Sequence, residues 1–455
     1  VEHYELIVIG AGPAGQKAAL QAAKLKRRVA VIEREKVVGG ACVSTGTLPS
    51  KTLRETVHSL SMLRQRQLIA GRHSTMSQLL ERKHLVVKHE IDIIQAQLDR
   101  NGVDLIRGQA GFVDPHTLRV RTRDGMTCDY QADFVVIATG SRPSAPPGID
   151  TTHPRILDSD TVLDLEDVPR TLTILGGGVI GCEYACIFAA MGTKVTLIDR
   201  RTRLLRFMDG EISDALAYQM RAHDITLKMG EELEGVAVTG DRVETRLKSG
   251  KVVPGERLLC AMGRVANIEG LNLPELGVTV AANGLLTVNA QYQTAAHAHI
   301  YAVGDVIGFP SLASTSMEQG RLAALHALRG ETTKFPSAFP YGVYTIPEIS
   351  FAGATEEELT QNKVPYEVGR AEYSETARGQ ILGDHTGILK LCFHRETLQL
   401  LGVHIIGESA TELIHIGQAV IAHEGKVSYF RDNVFNYPTL AECYKIAALN
   451  GLNRL

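Results

Sequence analysis

The sequence predicts an α/β fold built around two copies of one strand–turn–helix–strand unit, followed by an α+β segment of different character. Three observations carry this prediction. The pattern G-x-G-x-x-G occurs at Gly10–Gly15 and again at Gly176–Gly181, each time directly after a short apolar run. In both copies a helix-length stretch and a second apolar run follow, ending in an acid 23 residues after the first glycine. Beyond Pro336 the glycine pattern is gone, and two strand-length runs, Gly387–Phe393 and Leu400–Ile406, read as a pair.

In chain order, Tyr4–Ile9 reads as a buried strand, Gln16–Leu25 as a helix and Val29–Ile32 as a second strand ending in Glu33. The second copy has Thr171–Leu175, the helical stretch Cys182–Met191, and Lys194–Ile198 ending in Asp199. The first glycine of each loop (Gly10, Gly176) suits a tight turn, and the second (Gly12, Gly178) lets backbone approach a pyrophosphate. The third (Gly15, Gly181) permits close helix–strand packing. An anion at the helix N-terminus then meets free N–H groups and the positive end of the dipole. The terminal carboxylate suits a ribose diol. One such loop is weak evidence. Two, each with strand, helix, strand and acid in place, predict two Rossmann-like domains and two bound dinucleotides.

The remaining elements follow the same reasoning. Lys51–Ala70 and Ser77–Arg100 are helical in pattern, with Asn101-Gly102 as a stop. Phe134–Gly140 is a buried strand entering a turn. Pro143, Pro146, Pro147 and Gly148 then mark a crossing between domains, and a second crossing falls near Gly263–Asn267. His299–Asp305 reads as another strand whose end addresses a ligand. Helices start near the Thr355-x-x-Glu358 capping box and near Thr411. The expected division is a discontinuous first domain (1–149 and 264–334), an inserted second domain (150–263) and a third at 335–455.

Composition narrows the function classes. Lys plus Arg number 48 against 51 Asp plus Glu, so a net charge of −3 gives no electrostatic case for nucleic acid or an anionic membrane. No apolar run approaches the ~20 residues that span a bilayer. The first strand starts almost at once, leaving no room for a leader, and seven cysteines do not make a secreted disulfide framework. A soluble, cytoplasmic protein is expected. Neither the cysteines nor the 16 histidines show zinc-ligand spacing, so no metal is expected.

At Gly39-Gly-Ala-Cys42-Val-Ser-Thr-Gly-Thr47-Leu-Pro-Ser-Lys51 the chain resembles the redox helix of the FAD-dependent pyridine nucleotide–disulfide oxidoreductases, the family of lipoamide dehydrogenase and glutathione reductase. Ala138-Thr139-Gly140, Gly304-Asp305 and Pro438–Glu442 extend the resemblance over essentially the whole chain. It implies one FAD per subunit in the first domain, NAD(H) and NADP(H) as substrates in the second, and a homodimer or higher homo-oligomer formed through the C-terminal domain. FAD would lie against Gly10, Gly12, Gly15, Glu33, Cys42, Lys51, Thr139, Gly140, Gly304 and Asp305. The nicotinamide nucleotide would lie against Gly176, Gly178, Gly181, Glu183, Asp199, Arg200, Arg201 and Gly263. Lys51 and Glu183 would pair beside the reactive edge of the flavin as the catalytic residues.

Two departures bear on activity. The family's second redox cysteine is Thr47 here, and a hydroxyl cannot attack, leave and re-form a sulfur–sulfur bond. The family's catalytic histidine before Pro-Thr is Tyr437, whose ordinary pKa near 10 suits no proton shuttle at neutral pH. Both losses strike thiol chemistry and leave hydride exchange intact. The expected activity is hydride transfer between NADPH and NAD⁺ through FAD, ping-pong, without a redox disulfide. An NAD(P)H oxidase or quinone reductase and a non-catalytic FAD-binding assembly protein are the alternatives. Cys42 is expected to be a buried, inert packing residue, and Glu442 to make a structural hydrogen bond at the subunit interface. Asp199 suits the free 2′-hydroxyl of NAD and the following Arg200, Arg201 and Arg203 the 2′-phosphate of NADP, against the plainer alternative of a solvated basic turn.

Overall fold

The computed structural model describes residues 1–67 and 76–455, so the last part of the expected helix Lys51–Ala70 lies outside the described residues. The chain begins with β1 (Glu2–Ile9), α1 (Pro13–Lys24) and β2 (Val29–Glu33). The short α2 (Gly40–Ser44), α3 (Thr47–Gln65) and α4 (Met76–Arg100) lead to β3 (Asp104–Arg107). An antiparallel hairpin, β4 (Gln109–Asp114) and β5 (Thr117–Arg121), feeds β6 (Thr127–Ile137). Strand order is β3-β2-β1-β6-β5-β4. Leu6, Ile7 and Val8 are fully buried, as befits a parallel strand covered on both faces.

The chain leaves this sheet through β7 (Ser141–Pro143) and enters a second one. Its strands are β8 (Ile156–Leu157), β9 (Thr171–Leu175), β10 (Lys194–Asp199) and, later, β11 (Thr226–Met229). Between them run α5 (Val179–Ala190) and α6 (Gly210–Ala222). A three-stranded antiparallel sheet, β12 (Leu233–Thr239), β13 (Arg242–Leu247) and β14 (Val252–Gly255), precedes β15 (Arg257–Cys260). The parallel order is β11-β10-β9-β15-β8. The return crossing, β16 (Arg264–Ala266), pairs antiparallel with β7, so the exit and the re-entry run side by side. The chain then adds β17 (Ile300–Ala302) to the end of β6 in the first sheet. Helix α7 (Ala313–Arg329) follows and lies against α1 at backbone distance. A Cβ at Gly320 would come within 2.1 Å of the Ala14 carbonyl oxygen, so only glycine fits there.

The last segment is a five-stranded antiparallel sheet with helices. It contains β18 (Tyr341–Val343), β19 (Ile349–Gly353), α8 (Glu356–Gln361), β20 (Tyr366–Glu372) and α9 (Ala377–Leu382). It ends with β21 (Ile388–His394), β22 (Leu400–Ile406), α10 (Ala410–Ala422), α11 (Ser428–Asp432) and α12 (Glu442–Leu452). The order is β18-β19-β22-β21-β20, and the expected Thr355–Glu358 capping box closes the start of α8. The molecule is thus an α/β fold with two glycine-turn sheets and an α+β C-terminal part.

A buried charge cluster ties that part to the second sheet. The Lys390 ammonium on β21, with no side-chain exposure, lies 2.8 Å from Asp209 Oδ1 and 3.1 Å from Glu211, and it also bonds Glu356. Burial alone would lower the Lys390 pKa; the hydrogen bonds that its ammonium donates to Asp209 and Glu356 outweigh it and hold the lysine charged. The three carboxylates are close enough to hold a cation, and the ammonium occupies that position.

Candidate active site

The two glycine turns are near copies in three dimensions. Gly10 has φ +106° and Gly176 +109°, values that an L side chain rarely adopts. A Cβ on Gly15 would sit 1.9 Å from the Gly10 carbonyl oxygen, and one on Gly181 1.8 Å from that of Gly176. The middle glycines differ in kind: a Cβ on Gly12 meets only Gly40 Cα at 4.0 Å, and one on Gly178 meets nothing within 4 Å. Open space therefore faces the start of α1 and of α5, where a phosphate fits.

The strand-end acids repeat as well. Glu33 accepts from the N–H groups of Ala11 and Glu35, both at 2.8 Å. Asp199 accepts from Gly177 N at 2.5 Å and Arg201 N at 2.7 Å. Each carboxylate thus already fastens its own glycine turn. Asp199 is also gripped by the Arg201 side chain, Nε to Oδ1 at 3.0 Å and Nη2 to Oδ2 at 2.7 Å. Burial pushes the Asp199 carboxyl up, but Arg201 and the two backbone donors prevail and hold it below the usual aspartate value. Arg203 turns away to Asp214 and Glu357. Arg200 is exposed and makes no hydrogen bond or ion pair among the described residues.

A cavity of about 1160 Å³ runs from the first glycine turn to the contact of all three parts of the chain. Gly10, Gly12, Glu33, Cys42, Lys51, Thr139, Gly140, Gly304 and Asp305 all line it; Gly15 sits behind the turn and does not. Of the residues expected at the second nucleotide, Glu183 lines this cavity, whereas Gly176, Gly178, Gly181, Asp199, Arg200, Arg201 and Gly263 lie outside it. A mostly apolar wall with the glycine turn at one end and polar groups such as Glu33, Thr139 and Asp305 along it suits a dinucleotide such as FAD. Thr139 Oγ1 is buried on the wall without a partner among the described residues, open to a hydrogen bond from a bound group. Asp305 accepts from Ser141 Oγ at 2.9 Å, and Ser141 in turn accepts from Arg264 Nε at 2.8 Å.

At the three-part contact, Lys51 Nζ on α3 donates to Glu183 Oε2 on α5 at 2.5 Å. Glu183 is buried, and its other oxygen accepts from Tyr344 N at 2.9 Å. Tyr344 and Arg264 were absent from the sequence-based expectations. Tyr344 gave no local signal, since its partner is 161 residues away. Arg264, directly after Gly263 at the second crossing, was the more findable of the two.

One sequence expectation needs correction. Cys42 is not a packing residue in a core; it is partly exposed and lines the cavity beside Thr47. Burial raises its thiol pKa against the opposing Thr47 hydrogen bond, so it is a poor thiolate all the same. Glu442 Oε2 is buried and has no hydrogen-bond partner among the described residues of this one chain. Tyr437, 74% exposed, and Val434, 94% exposed, lie on the segment just before it.

Among the described residues, no helix is long and apolar enough to cross a membrane. Residues 4–320 match the pyridine nucleotide-disulphide oxidoreductase family, and residues 339–448 match that family's dimerisation domain. A soluble pyridine nucleotide transhydrogenase of Mycobacterium tuberculosis (strain ATCC 25177 / H37Ra) is 48% identical over 463 residues, covering 100% of this chain and 98% of that protein. A protein of the same name from Yersinia enterocolitica is 49% identical over 461 residues, covering 100% and 99%. Among solved structures, LpdA from Mycobacterium tuberculosis superposes with a TM-score of 0.91 at 27% identity, covering 99% of each chain. The HOCl-induced flavoprotein disulfide reductase RclA from Escherichia coli gives 0.89 at 28% identity, covering 98% of this chain and 99% of its own. With both family regions matched and relatives near half identity along the whole length, the chain belongs to the pyridine nucleotide-disulphide oxidoreductase family.

Proposed function

We propose that this protein is an NAD(P)⁺ transhydrogenase, exchanging hydride between NADPH and NAD⁺ with FAD as its resident cofactor. When bound, the flavin accepts a hydride from one nicotinamide and returns it to another. The observation that carries the reading is the pairing at the cavity wall of Cys42 with the Thr47 hydroxyl. Disulfide chemistry has lost its second sulfur there, while the Lys51–Glu183 pair remains whole at 2.5 Å. The full-length relatives bear the name of this activity.

In this reading residues 1–149 and 264–334 hold FAD, 150–263 take the nicotinamide nucleotide, and 335–455 form the contact with a second copy. The first glycine turn and Thr139 bind the cofactor; Lys51 supplies fixed positive charge beside its reactive edge, and Glu183 orients Lys51. Only the turn at Gly176–Gly181 is left for NAD(H) or NADP(H). The donor therefore leaves before the acceptor enters. Asp199, Arg200 and Arg201 serve the 2′ position of either nucleotide, and a cytoplasmic location belongs to the same proposal.

The test is anaerobic mixing of the yellow protein with NADPH and then NAD⁺, following absorbance. Bleaching by NADPH and recovery with formation of NADH are expected. Bleaching without recovery in NAD⁺, but with recovery in a quinone or oxygen, would replace the proposal with a diaphorase. No bleaching at all would leave a binding protein.

A further inference from the structure

Three basic residues on one face of α3 each end on a glutamate from another part of the chain. Lys51 meets Glu183, Arg54 meets Glu348 at 3.2 Å, and His58 meets Glu408 at 3.0 Å. The spacing i, i+3, i+7 places them along one stripe. Arg54 and His58 are nearly enclosed, whereas the Lys51 side chain keeps 26% exposure where it borders the cavity. A lysine ammonium on a four-carbon stem, held by one carboxylate, is free to swing about that contact. Its other protein acceptor is Ser50 Oγ at 3.4 Å, a long bond.

Tyr344 closes that arc. Its ring centroid lies 5.1 Å from Lys51 Nζ, inside the range of a cation–π contact, and its backbone N–H holds Glu183 Oε1. The residue is itself fixed at several points. Its phenol lies near the Thr411 hydroxyl, which donates to Glu348 Oε2 at 2.7 Å. Glu348 is the carboxylate that Arg54 grips, and Arg54 also donates to the Thr345 carbonyl at 3.2 Å. One residue thus touches both members of the Lys51–Glu183 pair from the C-terminal part of the chain.

We propose that Tyr344 is a positioning residue, its ring face and backbone N–H together fixing the Lys51–Glu183 pair at the reactive end of the cavity. The inference rests on the reading above that Lys51 acts on bound FAD. The charge that Lys51 presents to the cofactor then depends on an aromatic face rather than on side-chain volume.

A double-mutant cycle on the FAD-loaded full-length protein tests this, read as the midpoint potential of the bound flavin by dye equilibration. Tyr344→Leu keeps the backbone N–H and removes the ring; it is expected to disfavour the reduced cofactor by up to about tenfold, ~30 mV for a two-electron couple. Tyr344→Phe keeps the ring and is expected to hold the potential within about threefold, ~15 mV. In a Lys51→Met background, Tyr344→Leu is expected to shift nothing further. If Tyr344→Leu loses FAD, Tyr344→Met, also without a ring, enters the cycle in its place. An equal shift from the ring deletion with and without Lys51, or no shift while Lys51→Met lowers the potential, overturns the role of Tyr344 alone. A silent Lys51→Met overturns the reading of Lys51 and the inference with it.

Discussion

Replacing Arg200 by alanine is expected to weaken NADP(H) much more than NAD(H), and more than replacing Arg201 does. The difference follows from what each guanidinium holds beforehand. Arg200 is exposed and makes no hydrogen bond among the described residues, only a longer-range attraction to Glu232, so reaching a 2′-phosphate breaks no hydrogen bond. A charge-assisted hydrogen bond contributes about 1.5–3 kcal/mol. Its loss raises Kd about 10- to 150-fold. Arg201 must first leave Asp199, to which its side chain makes bonds of 2.7 and 3.0 Å. With Arg201 45% exposed, that pair is worth about 0–1 kcal/mol, and its loss offsets part of the phosphate contact. Arg201→Ala also uncovers the Asp199 carboxylate, so NAD(H) is expected to bind more tightly in that variant. Asp199→Ala should weaken NAD(H) preferentially. Calorimetric Kd values for NADPH and NADH on the FAD-loaded protein, at low and moderate salt, give the comparison, and the NADPH effects should shrink as salt rises. Equal factors on both nucleotides, or a larger NADPH loss from Arg201→Ala than from Arg200→Ala, would refute the reasoning.

Other expectations concern chemistry, order and stability. Cys42→Ser should retain most hydride transfer, because without a sulfur at Thr47 the thiol stores no electron pair; a collapse of turnover with FAD still bound would contradict this. Initial rates with NADPH and NAD⁺ varied together should give parallel double-reciprocal lines, whereas intersecting lines would require a second nicotinamide site. Lys390→Met should cost about 3–5 kcal/mol of stability, since Asp209 stays buried without its ammonium partner. In the wild type, burial raises Asp209 but His404, Lys390 and the Glu356 N–H hold it below its ordinary value. A depressed carboxyl contributes stability that is present above its unfolded pKa and lost as pH falls through the folded one. The variant lacks that contribution, so its deficit relative to the wild type should shrink as pH falls through the range where Asp209 protonates, and a deficit independent of pH in urea or thermal scans would disprove that role for Lys390.

What the sequence made legible was local. Gly10–Glu33 and Gly176–Asp199 each carry turn, helix and strand in one continuous stretch, and their geometry depends on neighbours in the chain. Thr355 and Glu358 cap α8 for the same reason. The capture of Asp199 by Arg201 could not be told from two side chains awaiting a ligand, because spacing does not say which partner an ion chooses. The meeting of Lys51, Glu183 and Tyr344 joins positions 132 and 161 residues apart, and nothing near Tyr344 marks it. Cys42 looked inert from the loss of its partner, yet its place on the cavity wall is decided by the fold of α2, not by its own chemistry.

The antiparallel ribbon of β7 and β16 makes the inserted second sheet a cassette. Arg264 stands opposite Pro143 and Ala266 opposite Ser141, so the two ends of the insert lie one strand spacing apart, about 5 Å. A tight turn would be enough to join them and close the first sheet without the insert. Conversely, a whole second sheet sits between neighbouring strand ends at almost no extra cost in loop closure, since both ends are already held together. Exchange of this cassette would leave β1, β6 and β17 aligned as they are, and with them the cavity wall at the first glycine turn, while the far wall that Glu183 contributes would change.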